Sequence, residues 1–401
     1  MFPYNLYIII IYKEIMIYEP LEDSFLIKEE IKRYAKNNTV LDMGTGSGIQ
    51  ALEAVKYAKS VVAADINNEA VKALKKIIKD KNLKKIKVIK SDLFNNIKNK
   101  FNLIIFNPPY LPLDESEPED SRLATTGGKK GYELIERFLN DINEYLEPNG
   151  RLLLLFSSLT NKSKVEEFIT NNELEFKQIA EQKLFFEVLY VYEVRKTKFN
   201  EIIHKKCVNK LKKFTHGHRG NIYIGNLKST KIAIKKQRED IDAFNTVNRE
   251  IKFLKLLNKK NIGPKFIFGG NNYFCYKFIE GQFIEEFIEK NKKTNIKKVL
   301  LDIFKQCFIM DKLGINKEEM HNPYKHIIID KKNKAWFIDF ERSNYTERPK
   351  NITQFIQYIC HLKKDLEDKK FKINVDILRK LAKSYKNNIN QANYNRIIKE
   401  I

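Results

Sequence analysis

Four times between residues 39 and 112 a short apolar run breaks off into residues that carry chemistry. LDMGTGSG (41–48), VVAADI (61–66), KIKVIKSD (85–92) and FNLIIFNPPY (101–110) each read as a buried strand ending in Gly, Asp or Asn. Helical spacing at residues 25–37 precedes the first, and at 49–58 and 68–82 it separates the first three. A further helix at 132–145 stops at Pro148-Asn149-Gly150 and leads into the strand RLLLLFS (151–157). Apolar strands alternating with helices predict a mostly parallel sheet covered on both faces. In such a sheet the four strand ends share one edge, the edge at which doubly wound folds bind ligands. A closing pair of strands, around KQIAEQKLFF and VLYVYEV, ends near Arg195.

The residues at that edge narrow the ligand. Gly44 and Gly46 lie between a strand and a helix, where glycine lets backbone N–H groups approach a ligand. Asp65 ends the next strand, a position from which a carboxylate takes ribose hydroxyls. Asp92, with Leu93 beside it, ends the third strand within reach of an adenine amino group. Asp42 opens the glycine loop and no Gly-Lys-Ser/Thr follows, so a cationic adenosine ligand fits better than a polyphosphate. S-adenosylmethionine, with its sulfonium and ammonium, is such a ligand. NPPY (107–110) ends the fourth strand, beside the methyl. An amide or aromatic amino nitrogen is a poor nucleophile because its lone pair is delocalised. The Asn107 side-chain oxygen and the Pro108 carbonyl offer two acceptors for its N–H hydrogens, the prolines remove competing donors, and Tyr110 can stack on a planar acceptor.

With these motifs in order, residues 17–195 resemble the HemK-type release-factor glutamine methyltransferases, in particular their short archaeal and eukaryotic branch. IYEPLEDSFLIKE (17–29) is similar to that branch's opening motif, and TTGGKKGYELIERF (125–138) follows FNPPY as it does in the family. The resemblance implies a class I Rossmann-like methyltransferase fold and an archaeal source. It implies that Ser24, Asp42, Asp65 and Asp92 contact S-adenosylmethionine and that Asn107 holds the acceptor amide. It further implies, as substrate, the glutamine of a Gly-Gly-Gln motif in a class 1 release factor, and a small zinc-binding activator subunit as partner. A nucleic-acid adenine methyltransferase is the alternative, since NPPY also serves adenine amino groups.

After residue 196 the grammar changes. NIYIGNL and KIAIKKQ are short alternating strands, a helix follows at 248–258, strands recur near KFIFGG and YFCYKFI, and long helices run to the end. Charge changes with it. Residues 1–195 carry 28 Lys and Arg against 29 Asp and Glu, whereas residues 196–401 carry 46 against 22. A basic half suggests a polyanion such as RNA or the ribosome. FTHGHRGNIYIGNLKSTKIAIKKQ (214–237) resembles the start of a protein-kinase small lobe, closest to the RIO-type and KEOPS-associated kinases, with glycines at Gly217 and Gly220. The resemblance implies an α+β two-lobed domain in which Lys235 reaches ATP phosphates, Glu250 pairs with Lys235 and Asp339 of AWFIDF binds Mg²⁺. The expected catalytic-loop Asp and Asn fall on His321 and His326, and Glu341 stands where that family has glycine. Glu318, Glu319 or His321 are the candidate substitutes, and a docking module with vestigial kinase features is the alternative.

Three segments follow: 1–15 as an extension ahead of Met16, 16–195 as the methyltransferase domain and 196–401 as the kinase-like domain. The apolar run at the start meets Lys13 and Glu14 well short of the ~20 residues that span a bilayer. Four cysteines (Cys207, Cys275, Cys307, Cys360) without a Cys-x-x-Cys pair imply neither a disulfide framework nor a zinc site, which fits the cytoplasm.

Overall fold

The computed structural model describes residues 20–216, 220–238 and 246–401. The extension at 1–15 and Gly217 therefore lie outside the described residues. The chain divides into two compact units, 1–213 with 226–228 and 214–225 with 229–401.

In the first unit, helix α1 (Glu22–Ala35) precedes β1 (Thr39–Met43), α2 (Ile49–Ala54), β2 (Ser60–Asp65), α3 (Asn68–Asp80), β3 (Ile86–Lys90) and β4 (Phe101–Phe106). A short pair, β5 (Leu111–Pro112) and β6 (Thr126–Gly128), flanks α4 (Glu119–Thr125). Then come α5 (Glu133–Asp141), β7 (Leu146–Ser157), α6 (Lys162–Asn171), β8 (Leu174–Lys183), β9 (Val188–Lys196) and α7 (Lys198–Lys205). The seven-stranded sheet has the order β3-β2-β1-β4-β7-β9-β8. β3, β2, β1, β4 and β7 run parallel, and β9 and β8 are antiparallel. This is the Rossmann-like class I methyltransferase arrangement. Strand order reverses between β1 and β4, which opens a crevice at their carboxyl ends.

Alternation along the strands builds two cores. Val40, Leu103 and Ile105 face one side with Ile27, Ile31, Ala51 and Leu74, while Leu41, Ile104 and Phe106 face the other with Phe138 and Leu139. Leu103, Ile104 and Ile105 are fully buried, and burying one such side chain contributes about 1.5–3 kcal/mol. A strand apolar on both faces must be central, and β4 is central. On the edge strand β8, Lys177, Gln178 and Glu181 are exposed, and so is Phe176. Helix α7, beyond the sequence boundary at 196, packs with the first unit. Its Asn200 Nδ2 donates to Asn143 Oδ1 at 3.0 Å and to the carbonyls of Asn172 and Glu173 at 3.2 and 3.0 Å.

The second unit has strands β11 (Gly220–Leu227), β12 (Thr230–Gln237), β14 (Tyr273–Lys277) and β13 (Phe266–Gly269) side by side in that order, after β10 (Val208–His216), which straddles the division. Helix α8 (Thr246–Asn258) lies between β12 and β13 in the chain. A small sheet of β15 (Gly281–Phe283), β17 (Ile327–Asp330) and β18 (Ala335–Phe337) follows, with the 20-residue α10 (Lys293–Lys312) among the helices. Side chains of α8, α10 and the later helices share one buried core. A buried polar network braces it. Asn351 Nδ2 donates to Asp311 Oδ1 at 2.7 Å, Tyr385 Oη to Asp311 Oδ2 at 3.1 Å, and the Lys317 N–H to Asn351 Oδ1 at 2.8 Å. Among the described residues no helix is long and apolar enough to cross a membrane.

Candidate active site

At the carboxyl end of β1 the chain turns through Gly44–Gly48 into α2. Asp42 is buried, and its Oδ2 accepts from Thr45 Oγ1 at 2.5 Å and from the Ala51 N–H at 3.0 Å. It therefore faces inward and closes the loop, where the sequence alone suggested a direct ligand contact. Burial pushes its carboxyl up to about 7, against the pull of those two bonds. At Gly46, φ is +51° and the space a Cβ would occupy is open, so a side chain there would be strained although it would meet no neighbour. The Gly46 N–H donates to Asp65 Oδ2 at 2.8 Å, and Asn67 N–H donates to Asp65 Oδ1 at 2.8 Å. Burial also raises the Asp65 carboxyl, against these backbone bonds. Among the described residues, Asp42 and Asp65 are thus answered by N–H groups and a hydroxyl rather than by a basic side chain.

Asp92 differs. It is part-exposed and takes both oxygens to Arg137 Nη2, at 3.1 and 2.9 Å. An adenine amino group there meets a carboxylate already engaged, which qualifies the role read from the sequence. Ser91 Oγ donates to the Leu93 carbonyl at 2.6 Å and accepts from the Asn96 N–H at 3.0 Å, which holds the turn. Leu93 has a φ of +44°. Asp92, Leu93, Asn95 and Arg137 line a cavity of about 300 Å³.

NPPY leaves β4 at the crevice. Asn107 Nδ2 donates to Asp23 Oδ2 at 2.9 Å, and Asn107 Oδ1 is buried without a partner among the described residues. Pro108 is buried beside it. Tyr110 is set deeper than a stacking platform requires. It is 8% exposed within the α1-side core, and its carbonyl accepts from Thr160 Oγ1 at 3.1 Å. The reason for TTGGKKG is also steric. A Cβ on Gly127 would stand 2.6 Å from the Pro109 carbonyl oxygen and 2.2 Å from that of Gly131, so this segment lies directly on the NPPY backbone. Ser24 is buried in the first turn of α1, and its carbonyl accepts from Gln50 Nε2 at 3.3 Å. Three contributors escaped the sequence reading: Asp23, Arg137 and Thr160. Only Asp23 carried a signal, as the neighbour of Ser24 in the opening motif.

In the second unit Lys235 on β12 meets Glu250 Oε2 at 2.7 Å, Asp339 Oδ1 at 3.1 Å and Glu341 Oε2 at 3.2 Å. Burial pulls its ammonium down, but the three carboxylates outweigh it and hold the group well above its ordinary value. Glu250 Oε1 also accepts from the Phe340 N–H at 3.1 Å, and Lys317 Nζ donates to the Asp339 carbonyl at 2.8 Å. Oxygens of Glu250, Asp339 and Glu341 lie within 4.8 Å of one another, close enough to share a metal ion. The catalytic-loop substitutes are engaged elsewhere. Glu318 accepts from Asn316 and Asn344, and Glu319 pairs with Arg342 and, at 3.1 Å, with His326 Nε2. His321 is exposed.

Residues 23–189 match the family described as Methyltransferase small domain. A Methanocaldococcus jannaschii protein named as a protein N5-glutamine methyltransferase is 43% identical over 151 residues, covering 37% of this chain and 76% of that protein. A release factor glutamine methyltransferase of Streptococcus pneumoniae is 38% identical over 127 residues, 29% of this chain and 45% of the relative, so the chain spans about half that protein's length. Among solved structures, an E. cuniculi complex responsible for methylating a translation termination factor is 25% identical, with a TM-score of 0.37, over 45% of this chain and 98% of that one.

Proposed function

The chain belongs to the protein N5-glutamine methyltransferase family, and from that membership we propose that its first unit methylates the glutamine of a Gly-Gly-Gln motif in a class 1 peptide chain release factor. The carboxyl edge fits S-adenosylmethionine. Open space at Gly46 admits a ligand against the loop backbone, and the buried charge of Asp42 and Asp65 favours a cation. In this reading Asp65 takes the ribose, Leu93 and Asp92 border the adenine, and Ser24 and Asp42 border the methionine end. When bound, the cofactor supplies a methyl group whose S–CH₃ bond breaks as the N–CH₃ bond forms, leaving a neutral thioether while the amide nitrogen gives one proton to water.

The observation that carries the reading is Asn107 Oδ1, a buried acceptor without a donor among the described residues. An unsatisfied buried carbonyl costs about 1–3 kcal/mol, and a primary amide arriving with two N–H groups removes that cost. One goes to Asn107 Oδ1 and the other to the Pro108 carbonyl, which aims the nitrogen lone pair. A small zinc-binding activator subunit completes the enzyme in this reading. The test is methyl transfer from labelled cofactor to purified release factor, with and without that subunit, and to a release factor whose motif glutamine is replaced. Label confined to the motif glutamine is the expected result. Label on DNA or RNA adenine instead would overturn it in favour of a nucleic-acid methyltransferase.

For the second unit, the Lys235–Glu250 pair at 2.7 Å beside Asp339 favours a kinase-like nucleotide site. In our reading ATP phosphates engage Lys235 and Mg²⁺ engages Asp339, without efficient phosphoryl transfer, because the loop carboxylates Glu318 and Glu319 are already committed. Calorimetric titration of the full chain with ATP and Mg²⁺ checks this, and an affinity unchanged in Lys235→Ala sinks it. The basic surplus of residues 196–401 adds a polyanionic partner, for which salt-dependent RNA binding is the measurement.

A further inference from the structure

An asparagine amide is ambiguous. It carries two donors at one end and two acceptors at the other, and its function at a site depends on which end faces the ligand. At Asn107 the structure resolves the ambiguity through a residue 84 positions earlier in the chain. We propose that Asp23 is a positioning residue for methyl transfer, which turns Asn107 into an acceptor and polarises it. The proposal rests on the glutamine-methylation reading above and extends it to a residue outside the NPPY motif.

The argument starts from the carboxylate. An ionised carboxylate only accepts, so the Asn107 atom 2.9 Å from Asp23 Oδ2 is the NH₂ nitrogen. The carbonyl oxygen must then point away from Asp23, and it is that oxygen, Oδ1, that lies buried with no donor among the described residues. Without the carboxylate, the amide gains nothing by keeping this orientation, and in the flipped one it offers N–H groups to a substrate that itself brings N–H groups. Asp23 is itself held in place. It is 4% exposed in the first turn of α1, where negative charge suits the helix dipole, and its Oδ1 accepts from the Ser24 N–H at 2.6 Å. Gln50, from α2, donates to the Ser24 carbonyl at 3.3 Å and ties that turn to the cofactor loop.

Charge adds to orientation. A hydrogen bond from Nδ2 to a carboxylate draws electron density toward Oδ1 and strengthens it as an acceptor. The substrate nitrogen gains positive charge as it attacks, so its N–H groups bond more strongly in the transition state than in the ground state. A stronger acceptor therefore raises kcat more than it lowers KM.

The experiment measures methylation of a glutamine-containing acceptor by the full chain, together with cofactor affinity by calorimetry, for wild type, Asp23→Ala, Asp23→Asn, Asn107→Ala and the double variant Asp23→Ala/Asn107→Ala. Asp23→Ala is expected to lower kcat about 10²-fold, the loss typical of one preorganised electrostatic partner, with KM and cofactor affinity changed less than about 3-fold. Asp23→Asn keeps an acceptor of the same shape without the charge, and recovers part of the loss. It also serves as the folded reference if the alanine variant does not fold, still falling below wild type in kcat. The double variant is expected to be no slower than Asn107→Ala, because Asp23 acts through Asn107. Multiplying losses in the double variant, or a fall in cofactor affinity as large as the fall in kcat, overturns the positioning role and leaves the glutamine reading standing. Wild-type protein inactive on every glutamine acceptor overturns both.

Discussion

The two units hold their polar groups in opposite states. At the crevice of the first, among the described residues, Asn107 Oδ1 is buried and unanswered, and Asp42 and Asp65 are met by backbone N–H groups and a hydroxyl. In the second, Lys235 is surrounded by Glu250, Asp339 and Glu341 within 3.2 Å. In our proposal the acceptor and carboxyls of the first site receive a cationic, N–H-bearing ligand set. The second has neutralised its own cation, so the polyphosphate of our reading would have to displace carboxylates before Lys235 could receive it. Preorganised groups with open valence gain most from ligand binding, whereas a satisfied ion-pair network must first be broken.

The largest effect that sharpens this contrast is at the open acceptor. Asn107→Ala is expected to lower the rate of methyl transfer by about 10²–10³ while cofactor affinity stays nearly constant, as checked by single-turnover transfer and calorimetry. A cofactor affinity that falls in step with the rate would move Asn107 into the cofactor site. Next in size is Asp65→Ala. Loss of a charge-assisted bond to the cofactor costs about 1.5–3 kcal/mol, and a dissociation constant that does not rise at least several-fold would remove Asp65 from the ribose role.

Glu341 tests the closed site. Glu341→Gly removes one of the three carboxylates on Lys235, and ATP–Mg²⁺ is expected to bind several-fold more tightly because less ion pairing is broken on entry. Weaker binding would show instead that Glu341 serves as a metal ligand. The smallest effect concerns pH. Burial raises Asp42 from 3.8 to about 7, so the free protein binds this proton between those values and the unfolded chain does not. The associated stability is fully present below about pH 4 and is lost as pH rises through about 7. A cation bound nearby favours the carboxylate, so cofactor binding near pH 7 should release a fraction of a proton. Binding heats that depend on the buffer's ionisation enthalpy in wild type, and not in Asp42→Asn, are the expected outcome.

Much of the first unit was legible because burial on both faces leaves a mark in the chain. The runs VLDM, VVAAD and LIIF alternate between two cores, and a strand of that kind has few places in a sheet other than the middle. The short pairing of β5 with β6 left only weaker marks. Gly127 reads as a loop glycine until the Pro109 carbonyl is seen 2.6 Å from where its Cβ would stand. Asp92 reads as an open carboxylate until α5 brings Arg137 against it. Tyr110 follows two prolines as an exposed aromatic should, yet the α1-side core takes its ring.

What the sequence by itself determined is the order of strands and helices in the first unit and the set of chemical groups delivered to one sheet edge. Periodicity and strand-end residues are local, and each can be read within about ten residues. What only the tertiary structure decided is the partner of each polar group. Asn107 meets Asp23 across 84 residues, Asp92 meets Arg137 across 45, and Lys235 meets Glu341 across 106. Such pairs follow from how helices settle on the sheet, because a side chain's charge and hydrogen bonds are satisfied by whatever packing brings within about 3 Å, and no spacing along the chain encodes that distance.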